Sequence, residues 1–282
     1  MSFIEDIKSR FKKGTIVEKL IYINLAVFAA TLLFSVFQGL YKGEINWLIN
    51  WFSLDAEYAV FFTKPWTIIS YGFLHDGFLH VLFNLITLYF IGNLFIEYFT
   101  QKQLLTFYLL GTFFGGILYL LSQNYFPLFE GKSSVLVGAS AGISGIFIGI
   151  ATYIPNYQLN IRFIGFVKLW HLAAIWILLD VLGIAGNNAG GHFAHLGGSV
   201  FGYLYVNQSS NKGLNLFSKI SSLFKTKRKP LKTVYKSPKK KQSTKHTSIN
   251  QQQIDVILDK ISKSGYDTLT KSEKDFLFKQ GK

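Results

Sequence analysis

The sequence predicts an all-α protein that crosses a membrane several times, and three observations lead there. Half of the 282 residues are hydrophobic and only 16% are charged, against about 25% charged in an average soluble domain. Apolar stretches close to the roughly 20 residues a membrane helix requires recur at about 20–40, 73–95, 104–122, 134–154, 163–186 and 189–207. Basic residues are distributed unevenly across the segments between those stretches, as a fixed orientation in a bilayer demands.

Taken in order, residues 1–19 are a basic N-terminus carrying Lys8, Arg10, Lys12, Lys13 and Lys19, with no apolar run of the secretory-signal kind. With this end inside, the inner segments hold those five residues, Lys102, Arg162, Lys168 and the whole C-terminal region. The outer segments hold only Lys42, Lys64 and Lys132. Six spans then leave both termini in the cytoplasm, and a cytoplasmic membrane is the expected location. Residues 41–72 mix Trp47, Trp51, Phe52, Tyr58, Phe61, Phe62 and Trp66 with charged residues, a composition suited to an element lying in the outer interface.

Charge divides the chain. Residues 1–211 carry 11 Lys/Arg against 10 Asp/Glu, and residues 212–282 carry 18 against 5. The body is close to neutral, so a folded basic face for nucleic acid is excluded. With no cysteine, a disulfide scaffold and a thiolate metal site are excluded too. Residues 208–250 read as a basic disordered linker, and the polybasic run 212–245 suits anionic headgroups of the inner leaflet. In residues 251–282, Ile254, Ile257, Leu258 and Ile261 repeat at helical spacing, Gly265 ends that helix, and Thr270-x-x-Glu273 opens another. A small cytosolic helical hairpin is the expectation.

Polar side chains inside apolar spans are costly and so point to function. Here they share a depth. Spans two, four and six enter from the outer face, with His80 about seven residues in, Asn84 one turn deeper, and Ser140 and His195 each about six residues in. At 1.5 Å per residue they come to rest roughly 9–16 Å below the outer surface. Gly138/Gly142, Gly145/Gly149 and Gly198/Gly202 are small-xxx-small pairs that let helices approach closely. A serine and a histidine brought together this way suit acyl transfer, with Ser140 as nucleophile and His195 as general base. His80, the Asn84 amide and the Ser140 backbone N–H are candidate donors to the oxyanion. No acidic residue falls in that layer, and Asp180, near the outer end of span five, could face either way, so a dyad is expected. His192 could line the cavity or bond a loop, and His75 suits a loop or interface. His80 and His195 lack the carboxylate or thiolate company of a zinc site, so neither a metal nor a cofactor is expected.

Several of these residues resemble a known family, the bacterial rhomboids. The likeness lies in Gly138-Ala139-Ser140, in Ala194-His195-Leu196-Gly197-Gly198, and in Phe73-Leu74-His75 followed by His80 and Asn84. Pro65-Trp66, Gly92 and Glu97 also match family positions, and the coverage runs from about 20 to 207. The resemblance implies a six-transmembrane-helix rhomboid-like bundle whose Ser140–His195 dyad cleaves transmembrane protein substrates, with His80 and Asn84 helping to bind the oxyanion. Ala141 stands where the family usually has glycine, and Thr67 where arginine is common. Gly142-Ile143-Ser144-Gly145 also fits a bare GxSG pattern, leaving Ser144 as the alternative nucleophile. The alternative to a protease is a catalytically silent membrane protein of the same fold that binds other membrane proteins.

Overall fold

The computed structural model describes residues 3–41, 47–210 and 246–280. The chain divides into two units, residues 1–224 and 225–282. Most of the basic linker, including the polybasic run 212–245, lies outside the described residues.

In the first unit, helix α1 (Phe3–Lys13) precedes α2 (Ile16–Leu40). Thr15 caps α2: its side chain accepts the Glu18 N–H while the Glu18 carboxylate accepts the Thr15 N–H, satisfying donors that a helix start leaves free. The Ile16 N–H also donates to the Gln101 side chain at 2.9 Å, which pins this helix beside the start of the helix Gln101–Tyr125. Three short helices follow, α3 (Trp47–Phe52), α4 (Tyr58–Thr63) and α5 (Thr67–Ser70). Trp51 and Trp66 stack with ring centroids 5.9 Å apart, and the Trp66 indole N–H donates to the Trp51 carbonyl. Where arginine is common in the family, Thr67 holds its own turn by donating to the Lys64 carbonyl at 2.7 Å.

Helices α6 (Phe78–Tyr98) and α7 (Gln101–Tyr125) come next, the latter opened by a second capping box of Thr100 and Gln103. With α2 they are the helices long and apolar enough to cross a membrane among the described residues. Helix α8 (Ser140–Tyr153) and α9 (Leu169–Gly183) are apolar but shorter. The expected fourth stretch, 134–154, starts as extended chain: strand β2 (Val135–Leu136) pairs antiparallel with β1 (Leu54–Asp55). The expected fifth stretch, 163–186, starts in a hairpin of β3 (Gln158–Ile161) and β4 (Gly165–Lys168) whose tip exposes Phe163 and Ile164. Helix α10 (Ala189–Ser210) is the last element of this unit among the described residues.

Helix α8 is the centre. Every residue from Ala141 to Ala151 is buried, which a helix apolar on all sides requires. It packs against α6, α7, α9 and α10, so its shortness leaves room above it instead of exposing its end to lipid.

The second unit contains α11 (His246–Ser264) and α12 (Lys271–Gln280). Gly265, at a φ of 81°, turns the chain after α11. The Glu273 carboxylate accepts the Thr270 N–H at 2.7 Å and the Lys260 ammonium at 2.9 Å. Those bonds, the backbone one first, hold the Glu273 carboxyl down at about 2.

Candidate active site

Ser140 is the first residue of α8, not a residue two turns inside it. Strand β2 and a short extended linker carry the chain to that depth. The turn falls at Gly138, whose φ of 131° favours glycine and whose N–H donates to the Tyr71 carbonyl at 3.0 Å. A Cβ at this position would stand 2.9 Å from both Cε1 and Nε2 of His80. The missing side chain is what lets the His80 imidazole lie beside the serine.

His195 reaches Ser140 from α10, with 2.6 Å between Nε2 and Oγ. Glycines set that distance. A Cβ built on Gly198 would run into the Ala141 carbonyl oxygen, and one on Gly202 into the Gly145 carbonyl oxygen. Helices α8 and α10 therefore meet backbone to backbone, with Ser140 and His195 towards the N-terminal end of the seam.

The expectation that no acid lies in this layer is corrected. Asp180, on α9, is 4% exposed and its Oδ1 accepts from His195 Nδ1 at 2.7 Å and from His192 Nδ1 at 2.9 Å. The reason is helix phase: α9 turns its one carboxylate away from lipid, as the cost of a charge in hydrocarbon requires. The signal available in the sequence was that lone carboxylate within an apolar stretch, but nothing in the sequence set the phase of the helix. The side chain of His192, one turn before His195, bonds this carboxylate and no loop residue among those described.

His80 is the third residue of α6, and its Nδ1 bonds the carboxylate of Asp76 one turn earlier. Asn84 is buried one turn deeper and gives one amide hydrogen to the His80 carbonyl at 2.8 Å. A cavity of about 250 Å³ joins these groups, lined among others by His80, Asn84, Gly138, Ser140, His195 and Trp176. The start of α8 faces it, and a helix start carries backbone N–H groups with no partner inside the helix together with the positive end of the helix dipole.

Ser144 is fully buried one turn below, and its hydroxyl accepts the Trp176 indole N–H at 3.1 Å. His75 lies in the loop before α6, as expected, but buried: it is 3% exposed and edge-on to His80 with centroids 5.1 Å apart. Neither of its ring nitrogens has a hydrogen-bond partner among the described residues. His171 lies at the opposite end of α9.

Asp180, His192 and His195 each bring a possible metal-ligand atom within 4.8 Å of the others. Their separations of 2.7 and 2.9 Å are hydrogen-bond lengths, and the second nitrogen of His195 faces the serine. The trio is a hydrogen-bonded chain leading to Ser140.

A family model described as "Rhomboid domain" matches residues 63–210, just over half of the chain. The chain belongs to the rhomboid family. The match includes Ser140, His195, Asp180, His80 and Asn84, and so the whole site of this rhomboid protein. Among curated proteins, RHOMBOID-like protein 4 of Arabidopsis thaliana is 31% identical over 153 residues, 54% of this chain and 36% of that protein. Presenilin-associated rhomboid-like protein A, mitochondrial, of Danio rerio is 26% identical over 147 residues, 51% of this chain and 37% of that protein. The matches thus span little more than a third of these curated relatives. A second model, a family of unknown function (DUF6576), matches residues 242–279, which include α11 and α12.

Proposed function

We propose that this rhomboid protein is an intramembrane serine endopeptidase that hydrolyses peptide bonds in or near the transmembrane segments of other membrane proteins. The observation that carries this reading is the Ser140–His195 contact of 2.6 Å at the wall of a cavity within an apolar bundle. Ser140 Oγ attacks the scissile carbonyl while His195 Nε2 takes its proton. The same proton then goes to the leaving amine, and water repeats the sequence on the acyl-enzyme. The oxyanion is received by the Ser140 N–H at the start of α8, the second Asn84 amide hydrogen and His80. Because Nδ1 of His80 is committed to Asp76, its Nε2 donates only when the ring carries both protons.

The cavity stands at the outer end of α8, so cleavage is directed to the outer ends of substrate helices that unwind into it. Six crossings by α2, α6, α7, α8, α9 and α10 in a cytoplasmic membrane, with both termini inside, agree with the distribution of Lys and Arg. Under that topology residues 212–245 rest on anionic inner-leaflet lipid, and 251–282, following the 20–207 membrane domain in sequence, form a cytosolic helical hairpin.

The test is covalent labelling of the detergent-solubilised protein by a fluorophosphonate, with Ser140→Ala, Ser144→Ala and His195→Ala alongside. Labelling lost with Ser140 and His195 but kept with Ser144 is expected. Absence of labelling in folded protein, repeated in lipid, would favour the silent binding protein, and loss with Ser144 alone would move the nucleophile.

A further inference from the structure

Among the described residues, Asp180 is the one buried carboxylate, and the reaction described above leaves it idle. It is 4% exposed on an apolar helix, and its Oδ1 takes two histidine N–H groups while Oδ2 has no partner among the described residues. A charge in such a place destabilises the fold unless something needs it there. Its two donors, His192 and His195, stand three residues apart on one face of α10, and only His195 reaches Ser140.

We infer that Asp180 is a positioning residue, the third member of a Ser140–His195–Asp180 relay, and that His192 holds its carboxylate in place. This rests on the serine-hydrolase reading and extends it. Imidazole has two neutral tautomers, and only the one protonated at Nδ1 leaves a lone pair at Nε2 to accept the Ser140 proton. A carboxylate 2.7 Å from Nδ1 selects that tautomer and holds the ring plane. When Oγ bonds to the carbonyl carbon, the carbonyl π pair moves to oxygen and the Oγ proton passes to Nε2, leaving an imidazolium against the Asp180 charge. On collapse the C–N bond breaks and the Nε2 proton goes to the departing nitrogen. The Nδ1 proton stays on His195 throughout, and Asp180 is never protonated. His192 gives the same oxygen a second donor at 2.9 Å, so the carboxylate cannot swing towards lipid without losing two bonds.

The groups around His195 divide the work: Asp180 from α9 and His192 from α10 on the Nδ1 side, and Ser140 from α8 on the Nε2 side, with His80 of α6 and its partner Asp76, from the turn before that helix, across the serine. Asp180→Asn keeps the shape but offers Nδ1 an amide that can donate, which favours the tautomer with its proton facing Ser140.

The experiment uses the full chain in micelles, uniformly or histidine-¹⁵N-labelled, with His195 assigned by loss of its signals in His195→Gln. Expected is an Nδ1-protonated His195 in wild type and an Nε2-protonated ring in Asp180→Asn. In parallel, kcat for a transmembrane peptide should fall by about 10⁴-fold in folded Asp180→Asn, the scale of this replacement in soluble triads, with KM little changed. An Nε2-protonated ring in wild type, or a tautomer that ignores Asp180→Asn, overturns the inference whether or not the protein is a protease. So does a folded Asp180→Asn with wild-type kcat. An inert wild type whose tautomer does switch keeps the relay and removes the protease reading. Should Asp180→Asn fail to fold, the wild-type spectrum alone decides.

Discussion

Replacing Gly138 by alanine tests how the serine and the oxyanion donor are held together. The new methyl carbon would lie 2.9 Å from Cε1 and Nε2 of His80 and 3.4 Å from Ser140 Oγ. The serine tolerates that contact. The histidine is about half an ångström inside ordinary contact, and the Tyr71 carbonyl that accepts the Gly138 N–H keeps the backbone from yielding. His80 must therefore move away from the cavity. A φ of 131° also strains an alanine, at about 1–3 kcal/mol of stability. Loss of one oxyanion donor lowers kcat by about 10²–10³-fold, and displacement by a fraction of an ångström places the expected loss near the lower end, about 10²-fold. KM should stay within about threefold, because the donor acts on the transition state. The assay is turnover of a fluorogenic transmembrane peptide, normalised to folded protein, with Gly39→Ala as control since nothing lies within 4 Å of a Cβ there. A second arm places Gly138→Ala in a His80→Ala background, where it should cost little more. Wild-type kcat in folded Gly138→Ala, or a full additional loss without His80, would refute the reasoning.

Three further outcomes are expected. Gly198→Ala drives a methyl into the Ala141 carbonyl, and should cost about 1–3 kcal/mol of stability in detergent unfolding, with activity falling beyond the loss of folded protein. Trp176→Phe removes the donor to the buried Ser144 hydroxyl, at about 1 kcal/mol, and should leave fluorophosphonate labelling of Ser140 within a few-fold of wild type. In the second unit, the Glu273 carboxyl is lowered from 4.5 to about 2. Its contribution to the helix pair is thus fully present above about 4.5 and is lost as pH falls through about 2, and a ¹³C-carboxyl titration should show its midpoint rising in Lys260→Met.

What the sequence made legible follows from how strong each local signal is. Helices α2, α6 and α7 lie within a few residues of the stretches at 20–40, 73–95 and 104–122, because uninterrupted apolar runs of that length have few other solutions. The rhomboid resemblance is borne out by the family match at 63–210. The entry to α8 was hidden, since Val135-Leu136-Val137 is apolar enough for a helix and only pairing with Leu54–Asp55 makes it strand. Likewise Phe163, Ile164 and Phe166 read as the start of a span yet stand exposed on a hairpin. Asp180 was visible as a residue and invisible as a partner. An apolar helix has no polar face from which its rotation can be read, so the bond to His195 emerges only when α9 and α10 are packed.

The glycine seam between α8 and α10 has a bearing on how this protein can be altered. Where two main chains touch, no rotamer is frozen on assembly and no side chain is left to repack. Positions 198 and 202 thus favour glycine, and a mutational library would find every larger residue there destabilising, alanine the least so. The reach from Ser140 to His195 is set by peptide geometry, and no graded series of substitutions along the seam can lengthen it by degrees. Variation in the shape of the cavity must enter elsewhere, at Trp176, Phe83 and the other side chains that ring it, which can change while the distance between Ser140 and His195 stays fixed.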